Sequence, residues 1–95
     1  MPKDYVIARA IVTNATQWAV YAAAAGEAIR KYGGTPLPRG GRKEVAVGEG
    51  RARNVVLEFA NFDAARTYAF SPDYAAARKL REGAGNIDIV VVEGA

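Results

Sequence analysis

Two charged side chains stand inside otherwise aliphatic runs of this 95-residue chain: Arg9 within YVIARAIV, Tyr5 to Val12, and Glu58 within VVLEF, Val55 to Phe59. Both runs lack turn formers and are rich in strand-favouring residues, so each reads as a strand. Side chains alternate across a strand, which sets Val6, Ala8, Ala10 and Val12 on one face and Tyr5, Ile7, Arg9 and Ile11 on the other. By the same alternation Val55, Leu57 and Phe59 share the first face, and Asn54, Val56 and Glu58 the second. If the two strands are neighbours, Arg9 and Glu58 lie on one apolar surface and are expected to pair. Such a pair suits cofactor-independent chemistry of the oxygenase or isomerase type, with Glu58 as base and Arg9 stabilising an enolate or carboxylate. An ion pair in apolar surroundings costs desolvation and seldom stabilises a fold better than apolar residues do, which makes it a candidate catalytic site. A structural or interfacial salt bridge is the plainer reading of the same two residues.

Arg39 precedes Gly40 and Gly41, where open backbone N–H groups and a guanidinium could together hold a carboxylate or phosphate. The competing reading is a solvated arginine guarding an edge strand. Arg42, Lys43, Arg51 and Arg53 lie close by in sequence and line the same hairpin, either attracting an anionic ligand or forming a solvated charged surface. Tyr68 and Tyr74 flank a helix break and are expected to aim hydroxyls into a pocket between helices and sheet. Arg39, Tyr68 and Tyr74 form the expected ligand-binding set. Trp18, Tyr21 and Tyr32 fall at helical core spacing and are read as packing residues.

The chain has no cysteine and no histidine. Disulfides, thiolate nucleophiles, the commonest metal ligand and the usual general base are therefore ruled out, and neither a cofactor nor a metal is expected. Ser71 is read as a helix cap, with no imidazole to activate it as a nucleophile. The formal charge of +3 is spread among ten acidic residues, forming no basic tract. With Val55 and Leu57 where an RNA-recognition strand would carry stacking aromatics, nucleic acid is not an expected partner. No run is long enough to cross a bilayer and no signal-peptide pattern occurs near Met1, so a cytoplasmic, non-membrane protein is expected.

One domain spanning 1–95 accounts for the length. A strand at Tyr5 to Thr13 is followed by Asn14 as cap and a helix to Tyr32, which Gly33 ends in a left-handed conformation. Thr35 to Val47 is predicted as an edge strand with a bulge at Gly40 and Gly41, since Pro36 and Pro38 exclude a central position. Arg53 to Ala60 is the third strand. Asn61 caps a helix that Pro72 breaks, Ser71 caps its continuation, and Asp73 adds charge to the first turn. Ile87 to Glu93 closes the chain as the fourth strand. The order predicts an α+β, ferredoxin-like βαββαβ fold with the second helix broken, its four-stranded antiparallel-type sheet centred on the first and third strands. Those strands are apolar on both faces, and the helices cover one. A second copy packed sheet against sheet, a homodimer, is the expected cover.

The ordered set YVIARAIV, KYGG at Lys31 to Gly34, RGG at Arg39 to Gly41, VVLEF, FDAAR at Phe62 to Arg66, SPDY at Ser71 to Tyr74 and DIVVVEG at Asp88 to Gly94 resembles the domain of unknown function 1330 family. That resemblance implies a dimeric α+β barrel and no established activity. Two features depart from the family pattern: Ala69 and Phe70 stand where an aromatic followed by Asp is usual, and the turn after Gly50 is short. The chain is thus expected to be a homodimer binding a small acidic or aromatic ligand. It acts either as a cofactor-independent enzyme or as a non-catalytic binding or stress-response module in which Arg9 and Glu58 are structural.

Overall fold

The computed structural model describes residues 3–39 and 41–95, without the side chain of Arg39. In chain order the elements are β1 (Asp4–Val12), α1 (Ala15–Lys31), β2 (Thr35–Arg39), β3 (Arg53–Phe59), α2 (Phe62–Ala69), α3 (Pro72–Lys79) and β4 (Gly85–Glu93). The strands form one antiparallel sheet in the order β2-β3-β1-β4, with β1 and β3 central as the split βαβ pattern requires. This open sheet does not close on itself, so one chain alone forms no barrel. Among the described residues, no helix is long and apolar enough to cross a membrane.

Capping chemistry sets the helix boundaries. Asn14 accepts a hydrogen bond from the Gln17 backbone N–H at 3.0 Å, and Asn61 accepts one from Ala64 at 2.7 Å. Gly33, with φ of 80°, ends α1 in the left-handed region, and the Gly34 N–H reaches back to the Ile29 carbonyl at 2.9 Å. The buried Ser71 side chain accepts from the Tyr74 N–H at 3.0 Å and donates to the Tyr68 carbonyl at 2.8 Å, fastening α3 to the end of α2. Pro72 then occupies the first helical position. Ser71→Ala is expected to destabilise the protein by about 0.5–2 kcal/mol in urea unfolding, the usual range for a lost cap.

β2 is shorter than the sequence suggests. Register slips between Pro36, opposite Leu57, and Arg39, opposite Val55, while residues 41–52 form neither helix nor strand. The expected bulge site Gly40 lies outside the described residues, and the slip falls before it. Lys43 to Val47 forms no strand because β3 begins at Arg53, two residues from the partner of Arg39. No length of β3 remains to pair with it.

The core lies between the helices and one sheet face, where Val6, Ala10, Leu57 and Phe59 are buried. Trp18, Tyr21, Ala25 and Ala28 form the buried stripe of α1. α1 and α3 run antiparallel and are tied at both ends. The Gln17 side-chain amide donates to the carbonyls of Leu80 and Glu82 at 3.0 and 2.6 Å, and Lys31 meets Asp73 at 2.7 Å. The hydrogen bond from Lys31 holds the Asp73 carboxyl below its ordinary range and in turn raises Lys31. That exposed tie is therefore present at neutral pH; it is lost as pH falls through the depressed Asp73 value or rises through the raised Lys31 value.

A candidate ligand cavity between α1 and the sheet

α1 spans the sheet without closely approaching it: its near neighbour is α3, whereas α2 rests on β1, β3 and β4. The facing side chains are small, with Ala8 and Ala10 on the sheet and Ala22, Ala25 and Gly26 on the helix. A cavity of about 340 Å³ remains between them, within the range of small-molecule sites.

Tyrosines occupy the inner wall. The Tyr21 and Tyr74 hydroxyls lie 2.8 Å apart, Tyr68 and Tyr74 have ring centroids 5.5 Å apart, and Phe59 stacks on Tyr68 at 5.5 Å. In the Tyr21–Tyr74 bond one hydroxyl donates to the other, and the acceptor keeps its own hydrogen for a further partner. Burial pushes Tyr21 above the ordinary phenol range, reinforced by Tyr74, and burial likewise raises Tyr68. These hydroxyls are neutral donors at physiological pH and not bases. Spectrophotometric titration is expected to find Tyr21 and Tyr68 still protonated near pH ~10, where exposed tyrosines ionise. Because the unfolded chain releases those protons more readily, stability is complete below the ordinary tyrosine pKa and falls as pH climbs above it.

Arginines take the opposite role at the rim. Arg30 folds back over Gly26, its Nη1 standing 3.8 Å from where a Cβ on that glycine would lie. Arg53, half-buried, opens β3 on the helix-facing side. No Asp or Glu is among the described residues lining the cavity. Nor do three or more Asp and Glu side chains converge anywhere among the described residues to hold a metal.

The residues singled out in the sequence divide between the two faces of the sheet. Tyr68 and Tyr74 line the cavity. Arg9 and Glu58 share the opposite face, yet they do not pair within the chain. Arg9 lies opposite Asn54 and Glu58 opposite Tyr5, which puts them four residues, or about 13 Å, apart along the strands. The Arg9 Nε instead reaches the Asn54 side-chain oxygen at 3.4 Å, beside its cross-strand neighbour Asp88, which pairs with Arg51 at 2.7 Å. On β3 it is Asn54, Val56 and Glu58 that meet this open face, while Val55 and Leu57 turn to the helices. The backbone of Arg39 pairs with Val55; its side chain lies outside the described residues. The basic hairpin is also split: Arg51 joins the open face, and Arg53 turns to the cavity.

Tyr21, Arg30 and the small residues of α1 were not foreseen as parts of a site. Tyr21 reads as core because it is core, buried with its hydroxyl turned to Tyr74. The available signal was the cluster Ala22, Ala25 and Gly26 on the apolar stripe, with Arg30 one turn beyond the glycine. Phe70, where the chain departs from the family pattern, is 73% exposed outside the cavity, beneath the Arg66 guanidinium at 5.1 Å.

A four-stranded antiparallel sheet bearing its helices on one face, with a cavity beneath the first helix, defines an α+β protein of ferredoxin-like architecture. The chain belongs to the family described as Domain of unknown function (DUF1330), which matches residues 3–95. It is similar in fold to a protein of unknown function from Rhodopseudomonas palustris, at 16% identity and a TM-score of 0.77, over 99% of this chain and 83% of that one. A dimeric protein of unknown function and ferredoxin-like fold from Bacteroides fragilis NCTC 9343 matches at 18% identity and a TM-score of 0.57, over 96% of this chain and 95% of that one. No curated protein matches.

Proposed function

We propose that this chain is a homodimeric binding protein for a compact aromatic or apolar acid, held in the cavity between α1 and the sheet. The observation that carries this reading is the cavity's make-up: apolar walls, neutral tyrosine donors inside, and arginines without carboxylates at the rim. A ring would lie against Ala22, Ala25 and Trp18, and its acidic group would meet Arg30 or Arg53. Binding is favoured over catalysis by Glu58 and Arg9, because Glu58 sits across the sheet from the cavity and is separated from Arg9 along the strands. The dimer is supported by the apolar residues of the open face, where Ile11 and Val90 are each about half exposed at 45% and 50%. The dimeric Bacteroides fragilis protein of similar fold adds to that support.

Calorimetric titration with 2-naphthoate tests the ligand reading. Saturable binding is expected, and Ala25→Phe, which fills the cavity from the helix side, is expected to weaken it at least about tenfold, or ~1.4 kcal/mol. No binding of 2-naphthoate, or equal binding by Ala25→Phe, would count against it.

A further inference from the structure

The cavity abuts another. Trp18, Ala22 and Arg53 also line a second, outer cleft of about 850 Å³, which the connection from β2 to β3 closes from the other side. Gly41, Arg42, Lys43 and Ala52 of that connection face the first half of α1 across the cleft. Antiparallel neighbours are usually joined by roughly two to five residues, and a much longer connection is commonly functional. Here the connection runs from Arg39 to Arg53, and its central part adds no strand to the sheet. Structurally, it supplies a wall.

Charge along that wall is one-sided. Arg42, Lys43 and Arg53 line the outer cleft, and no Asp or Glu is among its described lining. Glu44 and Glu49 belong to the same loop but are not part of the lining, and Arg51 is occupied by Asp88. One carboxylate would be met by Arg30 or Arg53 alone. Three cations lining one cleft outside an apolar chamber suit a group with more than one negative charge and several acceptor oxygens, which describes a phosphate.

From this adjacency we infer that the natural ligand is an amphiphile, with an apolar body in the inner cavity and a terminal phosphate in the outer cleft on Arg42, Lys43 and Arg53. The inference rests on the ligand reading above and narrows its chemical class: the acidic group is the phosphate of an ester of an apolar alcohol. Trp18, 3% exposed and common to both chambers, stands where body and head would meet. Because Arg42 and Lys43 are exposed, their contribution is screened by salt, whereas that of the inner cavity is not.

Titrations with geranyl phosphate, geraniol and 2-naphthoate test the inference on the full chain. Geranyl phosphate is expected to bind at least about tenfold more tightly than geraniol, a gap that narrows as ionic strength rises. The double variant Arg42→Ala, Lys43→Ala is expected to erase most of that gap and leave 2-naphthoate unaffected. Neither residue is packed in the core, so the variant should fold, as its unfolding midpoint can verify. If 2-naphthoate binds while geranyl phosphate gains nothing over geraniol, or if the gap survives in the double variant, the outer-cleft inference is overturned alone. If none of the three binds, the inner-cavity reading falls and takes this one with it.

Discussion

Phe59→Ala is expected to lower the unfolding free energy by about 3–5 kcal/mol, the range for deleting a large buried aromatic. The ring is 1% exposed, the most enclosed large side chain together with Val6. One face stacks on Tyr68 with 28° between planes, and its edge enters the space that Gly34 leaves, where a Cβ would come within 2.7 Å of the Phe59 Cζ. The surroundings cannot collapse into the void without moving the end of α1, the start of β2 and α2 together. A domain of this size is stable by roughly 5–15 kcal/mol, so the loss is a fifth or more of the total. Urea denaturation followed by circular dichroism measures it. A loss below about 1.5 kcal/mol would mean that the site relaxes and the ring is not closely packed. The mirror experiment, Gly34→Ala, drives a methyl against the same ring and is expected to destabilise as well.

The second large effect concerns assembly. Ile7→Asp is expected to turn a dimer at micromolar concentration into a monomer, weakening association at least about 100-fold, since a two-fold interface would bury the unpaired carboxylate twice. Ile7 lies in the middle of the open face, with Val56 beside it on β3 and Val90 on β4. Its side chain points away from the helices, so the fold should survive the change. Sedimentation velocity distinguishes the outcomes, and Val90→Lys, at the more exposed edge, provides an independent check. A wild-type monomer, or an Ile7→Asp variant that remains dimeric, would remove the sheet face as the interface. Binding of 2-naphthoate by the monomeric variant would further show that the cavity is complete within one chain.

Much of this fold is legible in the sequence because its signals are local. Asn14, Asn61, Ser71 and Pro72 announce helix starts through hydrogen bonds that close within three residues, and Gly33 announces an end through a conformation that glycine adopts freely. Strand alternation likewise assigns faces: Val6 and Ala10 to the core, Arg9 to the opposite side. Alternation does not reveal which residues stand opposite one another. Arg9 and Glu58 share a face, but the antiparallel register sets Asn54 against Arg9 and Tyr5 against Glu58, and a long-range pairing of that kind leaves no local trace. The end of β2 depended in the same way on where β3 begins. The cavity was only half readable, since Tyr68 and Tyr74 can be aimed inward from the helix break alone. The space they face arises because α1 is held away from the sheet, and alanines that line a void have the same periodicity as alanines that fill a tight contact.

The ties between α1 and α3 make the first helix a lintel, fastened at its ends by Gln17 and Lys31 as well as held by its buried stripe. The space below can change its contents without bringing down the structure above. Descendants of such a chain can exchange Ala22 or Ala25 for serine, valine or glycine and so reshape the chamber, while Asn14, Gln17 and Ser71 stay fixed as the masonry. A scaffold of this kind separates the residues that natural selection must keep from those it is free to try.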